Sequence, residues 1–501
     1  MRKALLLSGL VLAGSLSAQQ TGPDLEALDR YIADAVVQFD QPGLAVGIVK
    51  DGNLVWSKGY GKLDLAKADP VTPRSIFHVA SISKAFTAAA IGLLVDDGKL
   101  DWDDPVQKHM PEFRTADPYV SAHMTVTDLL CHRAGYITFD DDLLWYGTNY
   151  TQPEILARHA GMPLTYEFRT RFGYSNLMYI AAAQLVEHVS GKTWDDFITE
   201  RILQPLGMTR TTVETSDLAR FTDVALPHVR KGQDPSVPQK SMPYQEMAGA
   251  DGATGINSCV EDLAKWDAMW ADEGKANDKP FLSAATFRKL TSNHLPMEGR
   301  REGAALGWFL EDFNGNKVIT HSGGMPGFIL NHAVVPDQDF AVIALGNGES
   351  YSVFAVTNKI MDLYLGDGKA DPVARMIPRI KEMDKEEAQR KADRAKARQA
   401  KTKPSIALDS LAGTYTDKIY GDARIEVRNG KAILTLVPAP GLFSGPLTHW
   451  HHDTWEWHHD DPFLEPGYIT FSFDTDHRVT GFKINLNSPD FHFYKLDFKR
   501  P

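Results

Sequence analysis

The chain has 501 residues, 43% of them hydrophobic and 24% charged, and a formal net charge of −12. That length and apolar content allow more than one buried core. The acidic balance excludes the broad Lys- and Arg-rich surface that phosphate-backbone binding needs, so nucleic acid is not an expected partner.

The first residues carry Arg2 and Lys3, an apolar run from Ala4 to Leu12, and small residues through Gly14, Ser15, Ser17 and Ala18. This is the pattern of an export signal over residues 1–18. The run is too short to span a bilayer comfortably and no later stretch is long and apolar enough. After cleavage, a periplasmic or secreted protein without a stable membrane span is expected. A helix is expected around Leu25 to Phe39. GLAVGIVK, the turn Asp51-Gly52 and NLVWSKGYG then read as a β-hairpin. From Ser81 to about Met269 the period is helical in SKAFTAAAIGLLVDDGKL, LMYIAAAQLVEHVSG and CVEDLAKWDAMW. Strand-like runs return in KVITHSGG, FILNHAVVP and FAVIALGNG, and SVFAVTNKIMDLYL reads as a closing helix. A sheet built from both ends of this segment, with helices inserted between, is an α+β arrangement.

The character of the chain changes at residues 369–404. MDKEEAQRKADRAKARQAKTK combines few apolar residues with charges of both signs and good helix formers, and reads as a solvated helical linker. Residues 405–501 hold short strands in LAGTYTD, ARIEVRNGKAILTLVP, GYITFSFDTD and RVTGFKINLN, a separate small all-β domain. The two cysteines, Cys131 and Cys259, allow one bridge after export or two free thiols.

Chemistry enters with FHVASISKAF. In a helix beginning near Ser81, residues three apart share a face, so the Lys84 amine reaches the Ser81 hydroxyl. A helix N-terminus also offers unpaired N–H groups and a favourable dipole to a developing oxyanion. Alone, Ser-x-x-Lys also describes an N-cap serine with a surface lysine. Two further stretches change this: Tyr174-Ser175-Asn176 just before a helix, and His321-Ser322-Gly323 at the end of a strand. In this order the three resemble the active-site motifs of the serine β-lactamase and penicillin-binding-protein superfamily, in the Tyr-x-Asn version of class C enzymes. MTVTDLLCHRAG, WDDFITERILQPLGMTRT and GINSCVEDLAKW add to the resemblance, which covers about Leu25 to Leu365, within a domain drawn at residues 24–368.

The resemblance implies a β-lactamase/transpeptidase-like antiparallel sheet with helices and an acyl-accepting nucleophile, Ser81. It implies that Lys84 and Tyr174 exchange the Ser81 proton and that Asn176 holds the substrate's acyl amide or equivalent carbonyl. It places Ser322 and Gly323 beside the substrate and makes the backbone N–H groups of Ser81 and Gly324 the oxyanion hole. Neither lysine nor tyrosine is a good base at its reference pKa, so both need tuning. Many members have lysine where this chain has His321; a histidine is partly neutral near pH 7 and less suited to a substrate carboxylate. That form is similar to D-aminopeptidases, esterases and amidases of the superfamily.

In the tail, His449, His451 and Asp453 match a His-x-His-x-Asp metal spacing, but Thr454 stands where the motif needs a further histidine, and the aromatic spacing fits strand positions. The tail itself resembles the barrel-like lipocalin-type β domain appended to this hydrolase family. No metal or cofactor is expected. The expectation is an exported serine hydrolase, a peptidase, amidase or esterase acting on a small-molecule or peptide substrate. The alternative is a penicillin- or peptide-binding module of the same fold with little turnover. Because all three motifs precede the linker, a chain ending near Leu365 is expected to keep its Ser81 acylation chemistry if it folds, with its substrate preference open to change.

Overall fold

Strand Gly43–Lys50 lies between Asn53–Gly61 and Phe340–Gly346, which joins the two ends of the hydrolase segment in one antiparallel sheet. Beyond Phe340–Gly346 follow Phe328–Val335, Asn316–Met325, Phe309–Phe313, Arg301–Ala304 and Leu295–Pro296, eight strands in all. The computed structural model describes residues 23–501 except 246 and 248, so the export signal read over residues 1–18 lies outside the described residues. Among the described residues no helix is long and apolar enough to cross a membrane. The first hairpin closes at Asp51 and Gly52, whose φ values of 50° and 72° suit a tight two-residue turn.

Both sheet faces are covered. Helices Leu25–Gln38 and Ser352–Leu365 pack Leu28, Ile32, Val356 and Ile360 against Val46 and Val342 on one face. On the other lie Ser83–Asp96, Asn176–Ser190 and Val260–Ala271. Helix Ser83–Asp96 is buried from Ser83 to Leu94, which explains a sequence with no polar stripe. Its Phe86 stacks on Trp266 with ring centroids 3.9 Å apart. Asp267 of the same helix as Trp266 meets His332 of the sheet at 2.9 Å, both without exposed side-chain surface.

The charged segment forms one helix, Pro372–Ala397, with Asp371 as its N-cap. It is not wholly solvated, because Arg390 grips Glu465 of the tail with two short bonds. The tail is a closed eight-stranded barrel running from Gly413–Asp417 to Asp497–Lys499, closed where Thr416 pairs with Lys499. Tyr415, Ile425, Leu434, Trp457, Ile469 and Phe482 belong to its buried core. Asn429-Gly430 makes the expected hairpin turn, with φ of 53° and 72°. The His449, His451 and Asp453 side chains serve local contacts: His449 Nε2 donates to the His452 carbonyl, His451 Nδ1 accepts from Gln399 N–H, and Asp453 accepts from Ser405. Cys131 and Cys259 are buried free thiols at the ends of different helices, so the bridge allowed by the sequence does not form.

The barrel docks on the hydrolase domain through residues 140–158. Tyr146 donates to Asp461 at 2.8 Å and stacks on Phe491 with centroids 4.1 Å apart; Tyr150 donates to the Tyr420 carbonyl at 2.8 Å. Lys495 pairs with Asp140. Within the hydrolase core, removing one partner of the buried Asp267–His332 hydrogen bond leaves the other without a partner and without water. Asp267→Ala is therefore expected to lower stability by about 1–3 kcal/mol, read from the first urea-unfolding transition, whereas an exposed change such as Lys369→Ala should cost under about 0.5 kcal/mol.

Candidate active site

Ser81 sits in a single turn of 3₁₀ helix, Ala80–Ile82, and the α-helix begins two residues later at Ser83. The helix expected to begin near Ser81 thus opens with a 3₁₀ turn, and the three-residue spacing carries Lys84 Nζ to 3.1 Å from Ser81 Oγ. Ala80, just before the serine, has φ of +49°, a left-handed conformation that costs about 1–2 kcal/mol in a non-glycine residue. His78 helps to hold it: Ala80 N–H donates to His78 Nδ1 at 3.1 Å. Burial lowers the His78 pKa to about 4, so that nitrogen stays an acceptor. Strand Asn316–Met325 closes on the same turn. A Cβ on Gly323 would lie 2.3 Å from the Val79 carbonyl, so only glycine lets the third motif approach the serine this closely.

Lys84 has no exposed surface. Its amine bonds Ser81 and, at 2.9 Å, the Ala253 carbonyl, and lies 4.9 Å from the Tyr174 ring centroid. Burial drives its pKa down to about 7, against an upward pull from the Asp142 carboxylate. Tyr174 moves the other way: burial raises its pKa, with the Ser81 hydroxyl drawing it partly back. Both candidate bases are tuned by burial, in opposite senses.

Tyr174 is held from several sides. Gly173 abuts Tyr136, whose carbonyl would be 1.7 Å from a Cβ there. Tyr174 N–H donates to Thr138 Oγ1 at 3.2 Å, and the ring stacks on His132 with centroids 4.3 Å apart. His132 Nδ1 accepts the Ser175 N–H at 3.2 Å; burial, then Lys84 and Arg301, hold this imidazole neutral. Ser175 caps helix Asn176–Ser190 by accepting from Met178 N–H. Asn176 follows at the helix start. Its Nδ2 donates to Asp142 at 2.7 Å, and its buried Oδ1 has no partner among the described residues.

His321 is 2% exposed, and burial, followed by Lys84, pushes its pKa well below the ordinary value. Its Nδ1 donates to the Ser322 carbonyl at 2.7 Å, leaving Nε2 as an unpartnered acceptor. The expectation of a partly charged histidine near pH 7 is thus corrected: this position is neutral because water does not reach it.

Ser81, Tyr174, Asn176, His321, Ser322, Gly323 and Gly324 all line one cleft of about 480 Å³, with Lys84 directly behind Ser81. Several other lining residues carry no motif signal. Asp142 lies in a run of three aspartates that composition alone places in a solvated loop, yet all three are buried. Asp140 faces Lys495, Asp141 faces His159, and Asp142 accepts from Asn176 and from Trp145 Nε1. Arg301 stacks its guanidinium 3.7 Å from the Phe309 ring centroid. Phe463, Pro489, Asp490 and Phe491 of the barrel also line the cleft, beside the motif residues of the hydrolase domain.

Comparison with known proteins agrees with this architecture. Residues 28–365 match the family model described as Beta-lactamase, and residues 397–500 match a domain of unknown function (DUF3471). An unguisins hydrolase of Aspergillus campestris is 31% identical over 357 residues, 68% of this chain and 65% of that protein; the chain thus aligns with just under two thirds of that relative's length. Protein flp of Staphylococcus aureus is 26% identical over 72% of this chain and 71% of its own. Among solved structures, an octameric penicillin-binding protein homologue from Pyrococcus abyssi superposes with a TM-score of 0.63 at 23% identity, over 95% of this chain and 100% of its own. D-amino acid amidase from Ochrobactrum anthropi gives 0.59 at 23% identity, over 69% and 99%. At such identities the two structures speak to the fold alone. The family match spans most of the chain and contains the turn, helix start and strand that converge on Ser81: the chain belongs to the Beta-lactamase family.

Proposed function

We propose that this protein is an exported serine hydrolase that cleaves amide or ester bonds of small peptide-like acyl substrates through a Ser81 acyl-enzyme. Export is supported by the residue pattern at 1–18. The observation that carries the chemistry is a dehydrated lysine amine on the serine hydroxyl. At a reference pKa near 10.4 about one lysine in 2,500 is neutral at pH 7, whereas at about 7 roughly half are. Lys84 is then the base that accepts the Ser81 proton as Oγ attacks the acyl carbon. Tyr174 stays protonated, donates its proton to the departing amine or alkoxide, and recovers one from Lys84. Ser81 and Gly324 N–H groups are the proposed donors to the oxyanion, and His321 and Ser322 are substrate-contacting positions.

The direct test is fluorophosphonate labelling with mapping of the modified peptide. Ser81→Ala should abolish labelling, and Lys84→Ala or Tyr174→Phe should each slow it by about 10²–10⁴-fold, with the double variant little worse than the poorer single one. Labelling retained by folded Ser81→Ala would overturn the assignment. A rapid burst of acyl-enzyme without turnover would instead select the binding-module reading.

The pH profile follows from the sign of the Lys84 shift. Only neutral lysine accepts a proton, so the acylation rate should rise about tenfold per pH unit below 7 and level off above it. The Asp142 carboxylate raises the Lys84 pKa, so Asp142→Asn should move that profile toward lower pH. Gly323→Ala offers a steric test. Its new Cβ meets backbone rather than a flexible side chain, so labelling should fall at least tenfold while the circular dichroism spectrum is retained.

A further inference from the structure

A second cavity of about 480 Å³ lies in the seam between the hydrolase domain and the barrel, a size within the range of roughly 300–1,000 Å³ that holds small ligands. It shares no lining residue with the catalytic cleft. The run of three aspartates separates the two spaces: Asp142 lines the cleft, whereas Asp140 and Asp141 line the seam cavity. Leu143, Leu144 and Met162 give it an apolar wall from the hydrolase domain, and Ile419 and Leu496 give one from the barrel. Docking contacts made by its own wall hold it open, since Lys495 pairs with Asp140 and Tyr150 donates to the Tyr420 carbonyl.

The polar groups of this cavity are incompletely matched. Asp140 and Asp141 are only 7% and 5% exposed. Lys495 engages Asp140 Oδ1 and His159 engages Asp141 Oδ2, but Asp140 Oδ2 and Asp141 Oδ1 have no hydrogen-bond partner among the described residues. Tyr420, a buried lining residue from the barrel, has a hydroxyl that likewise lacks a partner. Buried carboxylate oxygens without donors and a phenol without an acceptor call for a ligand that carries both. The third carboxylate, Asp417, is already satisfied by the backbone N–H groups of Ile419, Tyr420 and Asp497. Lys483 and Lys495 line the same space as the aspartates, so a ligand of either charge meets a like charge there.

We propose that the seam cavity is a binding site, separate from the catalytic cleft, for a neutral carboxamide on a compact aliphatic body. A primary amide brings two N–H donors, one for each free carboxylate oxygen, and a carbonyl acceptor for a hydroxyl. Its aliphatic body is matched by the leucine, isoleucine and methionine walls. The proposal is independent of the hydrolase reading.

The test uses the full chain carrying Ser81→Ala, which leaves no nucleophile to consume an amide, in calorimetric titration with 4-methylpentanamide and its isostere 5-methylhexan-2-one. The ketone puts a methyl group where the amide has NH₂, so the amide is expected to bind at least about fivefold more tightly. Both 4-methylpentylamine and 4-methylpentanoate should bind more weakly than the amide. Thr165→Trp at the exposed hydrolase-side rim and Ile419→Trp on the barrel wall should each fill the cavity and weaken amide binding at least about tenfold. In chains that retain Ser81, both variants should be labelled by fluorophosphonate at the parent rate, which places the lost binding outside the cleft. Asp140→Asn keeps an oxygen for Lys495 and turns the free acceptor into an N–H donor, so the amide-to-ketone ratio should fall near one. Equal binding of amide and ketone by the parent, an amide affinity unchanged in both folded tryptophan variants, or tightest binding of the amine would each overturn the proposal.

Discussion

Lys84 is a lysine that the fold denies water, and the rest of the site is arranged around that denial. A charged amine in such surroundings loses several kcal/mol of hydration, and two hydrogen bonds with two aromatic faces recover only part of it. The lower-energy outcome is a neutral amine at ordinary pH. That outcome depends on the helix Ser83–Asp96 being buried on every side, on the Ala253 carbonyl meeting the amine, and on the third-motif strand sealing the turn through Gly323. A looser sandwich would hydrate the amine and restore its charge.

The same exclusion of water explains the histidines. His78, His132 and His321 all lie within or beside the motifs, and in each burial holds the pKa below its ordinary value. They act as fixed acceptors, donors and stacking surfaces that hold the serine turn, the Tyr174 loop and the strand edge. Beside the serine, burial brings Lys84 and Asp142 both to about 7, although in water they titrate at opposite ends of the scale.

The barrel is a structural part of this cleft. Its anchor points, Asp140 and Tyr146, bracket Asp142, so the segment that walls the active site is also the docking surface. Three consecutive aspartates divide the labour: one faces the barrel, one faces His159, and one faces the cleft. A motif search cannot see such a division, because each carboxylate draws its meaning from a partner far away in the chain.

Much of the hydrolase domain was legible in the sequence. The Asp51-Gly52 turn, the strands around HSGG and the helix after Tyr-Ser-Asn announce themselves by local turn chemistry and period, which are short-range properties. Strands Arg301–Ala304 and Phe309–Phe313 left weaker traces, being short and flanked by loops, and with them Arg301 escaped notice.

What the sequence by itself determined was the set of candidate reacting groups and their local spacing: a serine and a lysine three residues apart, a tyrosine before a helix, a glycine pair at a strand end. Tertiary structure decided their protonation, the neutrality of His321, the burial of Asp142 and the presence of barrel side chains in the cleft. The physical reason is that spacing is set by bonds along the chain, whereas desolvation and electrostatic coupling are set by whatever the rest of the fold brings within a few ångströms.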